Sequence, residues 1–200
     1  SKVFQIKKNS SKWILKEYFQ DIDDPRNRLK TEYDFLSFLN SVNIDSVAKA
    51  IASDDIQNWG LYSFLPGGKP LDIKKDYIRQ AAKFIQNINE FRFYPEVKDF
   101  SNASEACFSI RSHIDCINKR IITLEDIVPI KNIDLEVIDF VQRQLIPAKK
   151  KIIKNITDKV KSEVLSKILH REEQILSPSD FGFQNTLVSN NKLNFLDFEY

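Results

Sequence analysis

Residues 176–200, LSPSDFGFQNTLVSNNKLNFLDFEY, decide how the rest of this sequence is interpreted. Two short apolar segments, 186–188 and 193–196, are separated by a polar turn that contains Asn190 and Asn191. Consecutive asparagines between apolar segments favour the tight turn of a β-hairpin, because asparagine tolerates a positive φ. The stretch therefore predicts a small hairpin.

Three oxygen-bearing side chains belong to this stretch. Asn185 follows Asp180 by five positions, and Asp197 follows Asn185 by twelve. We expect these side chains to converge at one end of the hairpin. Phosphoryl transfer needs a carboxylate to orient and deprotonate the attacking hydroxyl, and hard oxygen ligands for a magnesium ion that bridges the phosphates. Asp180 suits the first role, and Asn185 and Asp197 suit the second.

This arrangement resembles the catalytic loop and the metal-binding aspartate of the eukaryotic-like kinases. The ending Asp-Phe-Glu-Tyr, 197–200, in place of Asp-Phe-Gly, resembles the aminoglycoside phosphotransferase and choline kinase-like family, whose members phosphorylate hydroxyls of small molecules. The resemblance implies ATP and Mg²⁺, with Asp180 as base and Asn185 and Asp197 as metal ligands. One position departs from the family, because Pro178 stands where a histidine is usual.

An alternative interpretation of the same stretch needs no chemistry. Asp and Asn are ordinary turn formers, so a hairpin with polar residues at its open end would have this composition. The distance between Asp180 and the Asp-Phe-Glu-Tyr ending, with apolar strands between, favours the catalytic interpretation.

The first 40 residues predict two strands and a helix. Segments 3–6 and 13–19 alternate apolar and polar residues, which indicates a hairpin. Residues 23–25, Asp-Asp-Pro, supply helix-starting signals, and apolar residues then recur at helical spacing through Asn40.

A lysine and a glutamate stand out in this region. Lys16 lies inside the second apolar strand, and Glu32 can turn from the helix toward the sheet. The family resemblance implies that the Lys16 ammonium contacts the α and β phosphates while Glu32 fixes its position. Each residue alone would be interpreted as a solvated surface charge.

Segments 46–52 and 59–64 predict two further strands, and 65–70, Leu-Pro-Gly-Gly-Lys-Pro, is the densest turn signal in the chain. The resemblance implies that this turn leads from a small nucleotide-binding lobe into a helical lobe. It also implies that backbone amides at Ser63, Phe64 and Leu65 face the adenine.

The middle of the chain predicts helices. Residues 72–90 have one apolar face with Asp72 as the N-cap, and a second helix runs over 101–119 from the cap Ser101-Asn102. A third runs over 134–170, where Pro147 is expected to kink or divide it. Seven lysines along this last segment are interpreted as solvated, with contact to an anionic substrate or a phosphate-bearing polymer as the alternative.

Composition limits the classes of function. A 200-residue chain with 42% hydrophobic residues and a net charge of +2 is an ordinary globular protein that requires neither nucleic acid nor an anionic membrane as partner. Cys107 and Cys116, nine positions apart in one predicted helix, indicate no disulfide, so a cytoplasmic location is expected. No apolar segment approaches the length of a membrane span. The oligomeric state is left open.

The sequence as a whole predicts an α+β, bilobal protein-kinase-like fold. Residues 1–65 form the small antiparallel nucleotide-binding lobe, and 66–200 form the mainly helical lobe with the catalytic hairpin. The abrupt ends and the absence of Met indicate a fragment. The family resemblance implies that it lacks the first strand and most of the phosphate-covering loop, to which only Ser1 and Lys2 could belong.

The expected function is ATP-dependent transfer of the γ-phosphate to a small-molecule hydroxyl. A catalytically inactive kinase-like domain that binds a nucleotide or a partner is the alternative. A protein kinase is the least favoured, because no Ala-Pro-Glu element is present.

Overall fold

The computed structural model describes residues 1–20 and 26–199, which form two compact units. The first unit comprises Ser1–Ser104 and Ile175–Tyr200, and the second comprises Glu105–Gln174. The lobe boundary expected near residue 65 lies inside the first unit and stays a prediction. None of the described helices combines the length and the apolar composition that crossing a membrane requires.

A four-stranded antiparallel sheet forms the N-terminal part of the first unit. Its strands are β1 (Lys2–Lys8), β2 (Ser11–Glu17), β3 (Ala50–Asp54) and β4 (Trp59–Ser63), in the order β1-β2-β4-β3. The register places Lys16 of β2 opposite Val3 on one side and Gly60 on the other. Side chains alternate across a strand, so Lys16 shares one face of the sheet with Ile14 and Tyr62.

Helix α1 (Arg28–Ser41) follows the first hairpin. The Asn27 side chain caps it by accepting a hydrogen bond from the Lys30 amide at 2.9 Å. The starting signal expected at 23–25 lies outside the described residues. Most of the buried residues of α1 are apolar and recur at helical spacing. Glu32 is also buried, although its side chain is charged. The helix therefore carries one carboxylate into the interior of the unit.

The C-terminal hairpin forms as expected from strands β5 (Thr186–Ser189) and β6 (Lys192–Phe195). Asn190 and Asn191 have φ values of 50° and 61°, the left-handed conformation that a two-residue hairpin turn requires. The hairpin is joined to the preceding chain, because the Val188 amide donates to the Gly68 carbonyl at 2.7 Å.

The expected strand over 46–52 is wrong in its bounds, since β3 spans Ala50–Asp54. Residues 46 and 47 pair with the C-terminal hairpin instead. The Phe195 amide donates to the Ser46 carbonyl at 2.8 Å, and Val47 is buried beside Phe195. Pairing with a segment distant in sequence thus overrides the local strand pattern.

Helix α2 (Lys75–Glu90) buries Tyr77, Phe84 and Ile88 against the hairpin and α1 core. The expected cap at Asp72 is wrong, because the helix begins three residues later, where the Lys74 carbonyl accepts the first helical hydrogen bonds. Aromatic rings dominate this core. Phe84 stacks on Phe195 at 4.3 Å between ring centroids and on Phe181 at 5.7 Å.

The second unit is helical: α3 (Ile110–Glu125), α4 (Asn132–Phe140), α5 (Ile146–Lys159) and α6 (Ser162–Ser166). The helix expected over 101–119 is wrong in position. Ser109 and Ser112 form a reciprocal capping box, which starts α3 eight residues later than Ser101-Asn102 would. Cys107 therefore precedes the helix that contains Cys116, and both thiols are free.

The long helix expected over 134–170 is divided. A π-helical turn, Val141–Leu145, joins α4 to α5 directly before Pro147, which has no amide hydrogen for the normal α-helical ladder. The helix then ends at Lys159 instead of His170, because the chain turns to bury Leu165 and to donate from the Leu169 amide to the Phe108 carbonyl at 2.8 Å.

Replacing Phe84 with alanine tests the aromatic core. We expect Phe84→Ala to lower the free energy of unfolding by about 3–5 kcal/mol, since a buried ring and its stacking partners are lost. Urea unfolding followed by circular dichroism measures this change. Ile78→Ala, on the same helix but 53% exposed, serves as control and should change it by less than about 0.5 kcal/mol. Equal effects for the two variants would contradict the described packing.

Candidate active site

The site is centred on the Lys16 side chain, which β2 carries into the interior. Lys16 is 8% exposed, and Gly60 lies opposite it on β4. Lysine is rarely buried without partners, because removing the ammonium from water is costly. The groups around Lys16 should therefore be acidic.

Three carboxylates meet the Lys16 ammonium. Its Nζ atom lies 2.7 Å from Glu32 Oε2, 2.7 Å from Asp197 Oδ1 and 2.9 Å from Glu199 Oε2. The ammonium donates hydrogen bonds to Glu32 and Asp197 and forms an ion pair with Glu199. Burial alone would lower the pKa of Lys16, but the negative charges of Glu32 and Asp197 outweigh it and raise this pKa above its usual value.

Glu32 is held on both of its oxygens. Oε2 accepts from Lys16 and, at 2.6 Å, from the Tyr18 hydroxyl, while Oε1 accepts from the Phe198 backbone amide at 3.2 Å. This carboxylate therefore fixes the Lys16 ammonium and the segment 197–199 at the same time.

Glu199 is the most buried carboxylate of the three. Its residue is 3% exposed, and it also bonds to Arg28 Nη1 at 3.2 Å and to the Ser1 hydroxyl at 2.7 Å. Burial acts to raise the pKa of Glu199, but the Lys16 charge and the hydrogen bond from Ser1 prevail and lower this pKa. The carboxylate is thus stabilised in its charged form.

Asp197 is the most accessible of the three, with a side chain that is 34% exposed. Its φ of 68° turns the chain sharply after β6. Carboxylate oxygens of Glu32, Asp197 and Glu199 lie within 4.8 Å of one another, which is close enough for them to bind one metal cation together. Lys16 supplies the positive charge among them here.

Asp180 and Asn185 form a second group. Asn185 Nδ2 donates to the Asp180 carbonyl at 3.0 Å and to Asp180 Oδ2 at 3.3 Å, while Gln184 Nε2 donates to Asp180 Oδ1 at 3.3 Å. Asp180 is exposed, whereas Pro178 two positions earlier is buried. The Asp180 carboxylate is thereby oriented by two amides instead of a histidine.

Backbone pairing connects the two groups. The Leu196 amide, directly before Asp197, donates to the Asn185 carbonyl at 2.9 Å. In this way the hairpin brings Asp180, Asn185 and Asp197 to its open end, while Lys16 and Glu32 contact Asp197 from the sheet and α1. Their predicted chemical roles stay predictions.

The predicted adenine contacts lie at the end of β4. The Ser63 amide donates to the Lys49 carbonyl at 2.9 Å, and its hydroxyl accepts from the Lys49 amide at 2.8 Å. Within the described part of the chain, no hydrogen bond uses the Phe64 or Leu65 amide. These two amides are therefore the better donors for a base.

The sequence interpretation overlooked four residues of the site. Arg28, Tyr18 and Tyr62 were not singled out, and Ser1 was linked only to a phosphate loop. Tyr18 had a usable signal: it follows Lys16 by two positions, which places both on one strand face. Arg28 and Tyr62 reach the site only through the tertiary fold.

Comparison of the sequence with protein families and with curated proteins gives no match. Among solved structures, the chain is similar to a choline kinase from Cryptosporidium parvum, with a TM-score of 0.49 and 17% sequence identity. The likeness covers all of this chain and 58% of that protein. A likeness of this size assigns neither a fold family nor an activity to this chain.

Replacing Lys16 with methionine tests the electrostatics of the site. We expect Lys16→Met to lower the free energy of unfolding by about 3–5 kcal/mol at pH 7, because buried carboxylates lose their counter-charge. The loss should shrink in acid. Folding lowers the pKa of Glu199, so in the wild type this group stabilises the fold above its ordinary pKa of 4.5 and loses that effect as pH falls through the lowered value.

Chemical unfolding of both proteins between pH 7 and pH about 3 measures the difference. Lys7→Met, at an exposed position of β1, is the control and should differ little from wild type at either pH. A stability difference for Lys16→Met that stays constant with pH would contradict the carboxylate cluster.

Proposed function

We propose that this chain is the nucleotide-binding and catalytic part of a phosphotransferase that moves the γ-phosphate of ATP to the hydroxyl of a small molecule. One observation carries the proposal: a buried strand lysine, Lys16, is bonded both to the helix residue Glu32 and to Asp197 of the C-terminal segment, each at 2.7 Å. Such a lysine, braced by a glutamate and adjacent to a metal-binding aspartate, is the arrangement that kinases use to position phosphates.

In this proposal Lys16 contacts oxygens of the α and β phosphates. The Glu32 carboxylate keeps its position when the nucleotide binds, because the Tyr18 hydroxyl and the Phe198 amide donate hydrogen bonds to its two oxygens. It therefore keeps the ammonium in place while phosphate oxygens replace one of the other acceptors of Lys16.

Asn185 and Asp197 would hold Mg²⁺. The donor set fits the ion, because both residues offer hard oxygen atoms and magnesium prefers such ligands. The Asn185 amide nitrogen is turned toward Asp180, which leaves the side-chain oxygen available, and Asp197 uses only Oδ1 toward Lys16. Magnesium bound there would neutralise charge on the phosphates.

Asp180 is assigned the role of base. As the acceptor oxygen forms its bond to the γ-phosphorus, the bond from that phosphorus to the β–γ bridging oxygen breaks and ADP leaves. The hydroxyl proton passes to the Asp180 carboxylate. Gln184 and Asn185 hold the two oxygens of this carboxylate at 3.3 Å each, so the group is oriented before the acceptor arrives.

The acceptor class is a small hydroxyl compound such as an aminoglycoside, a sugar or an amino alcohol.

Adenine would be bound by the backbone at Phe64 and Leu65, since the Ser63 amide donates to the Lys49 carbonyl.

A second function is favoured by two specific observations. The Lys16 ammonium is paired with three carboxylates of the described residues, and Pro178 stands where a histidine is usual before the base. A nucleotide- or partner-binding domain without catalysis would tolerate both features. The two functions differ in whether phosphate is transferred.

Labelled ATP, Mg²⁺ and a panel of hydroxyl compounds test the enzyme directly. We expect transfer by the full-length wild-type protein and a loss of about 10²- to 10⁴-fold in kcat for Asp180→Asn, because the base is removed. A thermal shift with ATP and Mg²⁺ should be the same for both proteins, since Asp180 contributes no phosphate contact.

Asp72→Asn, an exposed aspartate before α2, is the matched control and should keep wild-type activity. A thermal shift without transfer to any acceptor would replace the enzyme with the binding domain. The absence of both signals would reject the kinase-like assignment.

A further inference from the structure

Two buried tyrosines lie behind the Lys16–Glu32 pair, and the proposed chemistry does not use them. The Tyr18 hydroxyl lies 2.6 Å from Glu32 Oε2 and 2.6 Å from the Tyr62 hydroxyl. Both tyrosines are 4% exposed. We call Tyr18 and Tyr62 the tyrosine pair.

The hydrogen bonds of the tyrosine pair have one consistent direction. A carboxylate only accepts, so Tyr18 donates its single proton to Glu32, and Tyr62 then donates to the Tyr18 oxygen. Burial, followed by the nearby charge of Glu32, raises the pKa of Tyr18 and likewise that of Tyr62. Both hydroxyls therefore stay protonated and keep this direction.

Two hydrogen bonds with Asn58 fix the backbone of Tyr18. The Tyr18 amide donates to the Asn58 carbonyl at 3.0 Å, and the Asn58 side-chain amide donates back to the Tyr18 carbonyl at 2.9 Å. Asn58 is itself buried and has a φ of 56°. Tyr18 is thus fixed at its backbone as well as at its hydroxyl.

Gly60 makes room for the Tyr62 ring. A Cβ atom at Gly60 would lie 2.4 Å from the Tyr62 hydroxyl oxygen, closer than any real contact. The Tyr62 side chain therefore crosses over Gly60, the residue directly opposite Lys16 in the sheet, to reach Tyr18. A larger residue at position 60 would displace it.

Glu32 links the tyrosine pair to Lys16 and to the segment 197–199. The same oxygen that accepts from Tyr18 accepts from Lys16, and the other accepts from the Phe198 amide. A shift of this carboxylate would move the phosphate-binding ammonium and the backbone between Asp197 and Glu199 together.

We infer that Tyr18 and Tyr62 are positioning residues: they act in series through Glu32 to hold the Lys16 ammonium and the segment 197–199 in the arrangement that binds the phosphates of ATP. The effect on ATP rests on the proposed function, whereas the effect on the position of the segment does not. Tyr62 acts only through Tyr18, because its hydroxyl bonds to Tyr18 and not to Glu32.

Amide hydrogen exchange at Phe198 tests the structural half without any catalysis. We expect Tyr18→Phe to speed exchange of this amide about tenfold, since a hydrogen bond that fixes its acceptor Glu32 is lost. Tyr62→Phe and Gly60→Ala should give smaller increases. The amide of Leu193 in β6 donates to the Gln80 side chain of α2 and should exchange at the wild-type rate.

Steady-state kinetics test the functional half. We expect Tyr18→Phe to raise the KM for ATP about tenfold and to leave the KM for the acceptor unchanged. A merely structural defect would lower the active fraction, and hence the apparent kcat, without this difference between the two KM values.

A double-mutant cycle tests the order of the tyrosine pair. Residues acting in series are not additive, so Tyr18→Phe/Tyr62→Phe should match Tyr18→Phe alone in both measurements. Tyr77→Phe is the control, because Tyr77 is also buried and its hydroxyl bonds to none of the described residues. It should leave both measurements at the wild-type values.

Unchanged Phe198 exchange in Tyr18→Phe, or additive effects in the double variant, would overturn the inference. If the exchange rates change as expected but the wild type transfers no phosphate to any acceptor, the positioning role is supported and the proposed enzyme fails. The two failures are thereby distinguished.

Discussion

The buried ammonium of Lys16 is the interaction on which the architecture of the first unit depends. Its acceptors come from helix α1 and from residues 197–199, and Asp197 is 181 positions away in the sequence. A buried charge without partners costs far more than a typical protein can tolerate, so the lysine requires these elements together. The sheet, the helix and the C-terminal segment are coupled by one group.

Aromatic packing places the acidic residues of the segment 197–199. The Phe198 ring packs against Phe35 at 5.2 Å and is buried, while Asp197 and Glu199 on either side of it both reach Lys16. The Phe198 ring therefore lies in the apolar core, while the carboxylates on either side of it contact the ammonium. The segment 197–199 therefore contributes one ring to the apolar core and two carboxylates to the charged site.

Local patterns in the sequence predicted those features that short-range geometry determines. The Asn190-Asn191 turn and the strands beside it were correct, because a two-residue hairpin needs a positive φ at both turn positions. The pairing of Lys16 with Glu32 was expected from a motif resemblance, and the two side chains are in contact. The direct contact between Lys16 and Asp197 was not expected.

Features that depend on distant contacts were missed. The strand expected at 46–52 shifted because Ser46 pairs with Phe195, and the helix expected to continue to His170 ended early because Leu165 is buried by a turn back. The direct bond from Glu199 to Lys16 has no short-range signature, since an acidic residue after a strand could equally cap its end.

The unequal bonding of the three carboxylates determines how the site could accept a nucleotide. Phosphate oxygens can reach Lys16 only if one carboxylate gives way. Glu32 is held by Tyr18 and the Phe198 amide, and Glu199 by Arg28 and Ser1, so moving either carboxylate breaks further hydrogen bonds or ion pairs besides its contact with Lys16.

Asp197 differs from both: its side chain is 34% exposed, and its one described bond, to Lys16, uses a single oxygen. It is therefore the carboxylate that can exchange the ammonium for a cation at the lowest free-energy cost. The contact with Lys16 and the metal-binding role proposed for Asp197 therefore involve the same carboxylate. Glu32 and Glu199 are fixed by their other contacts.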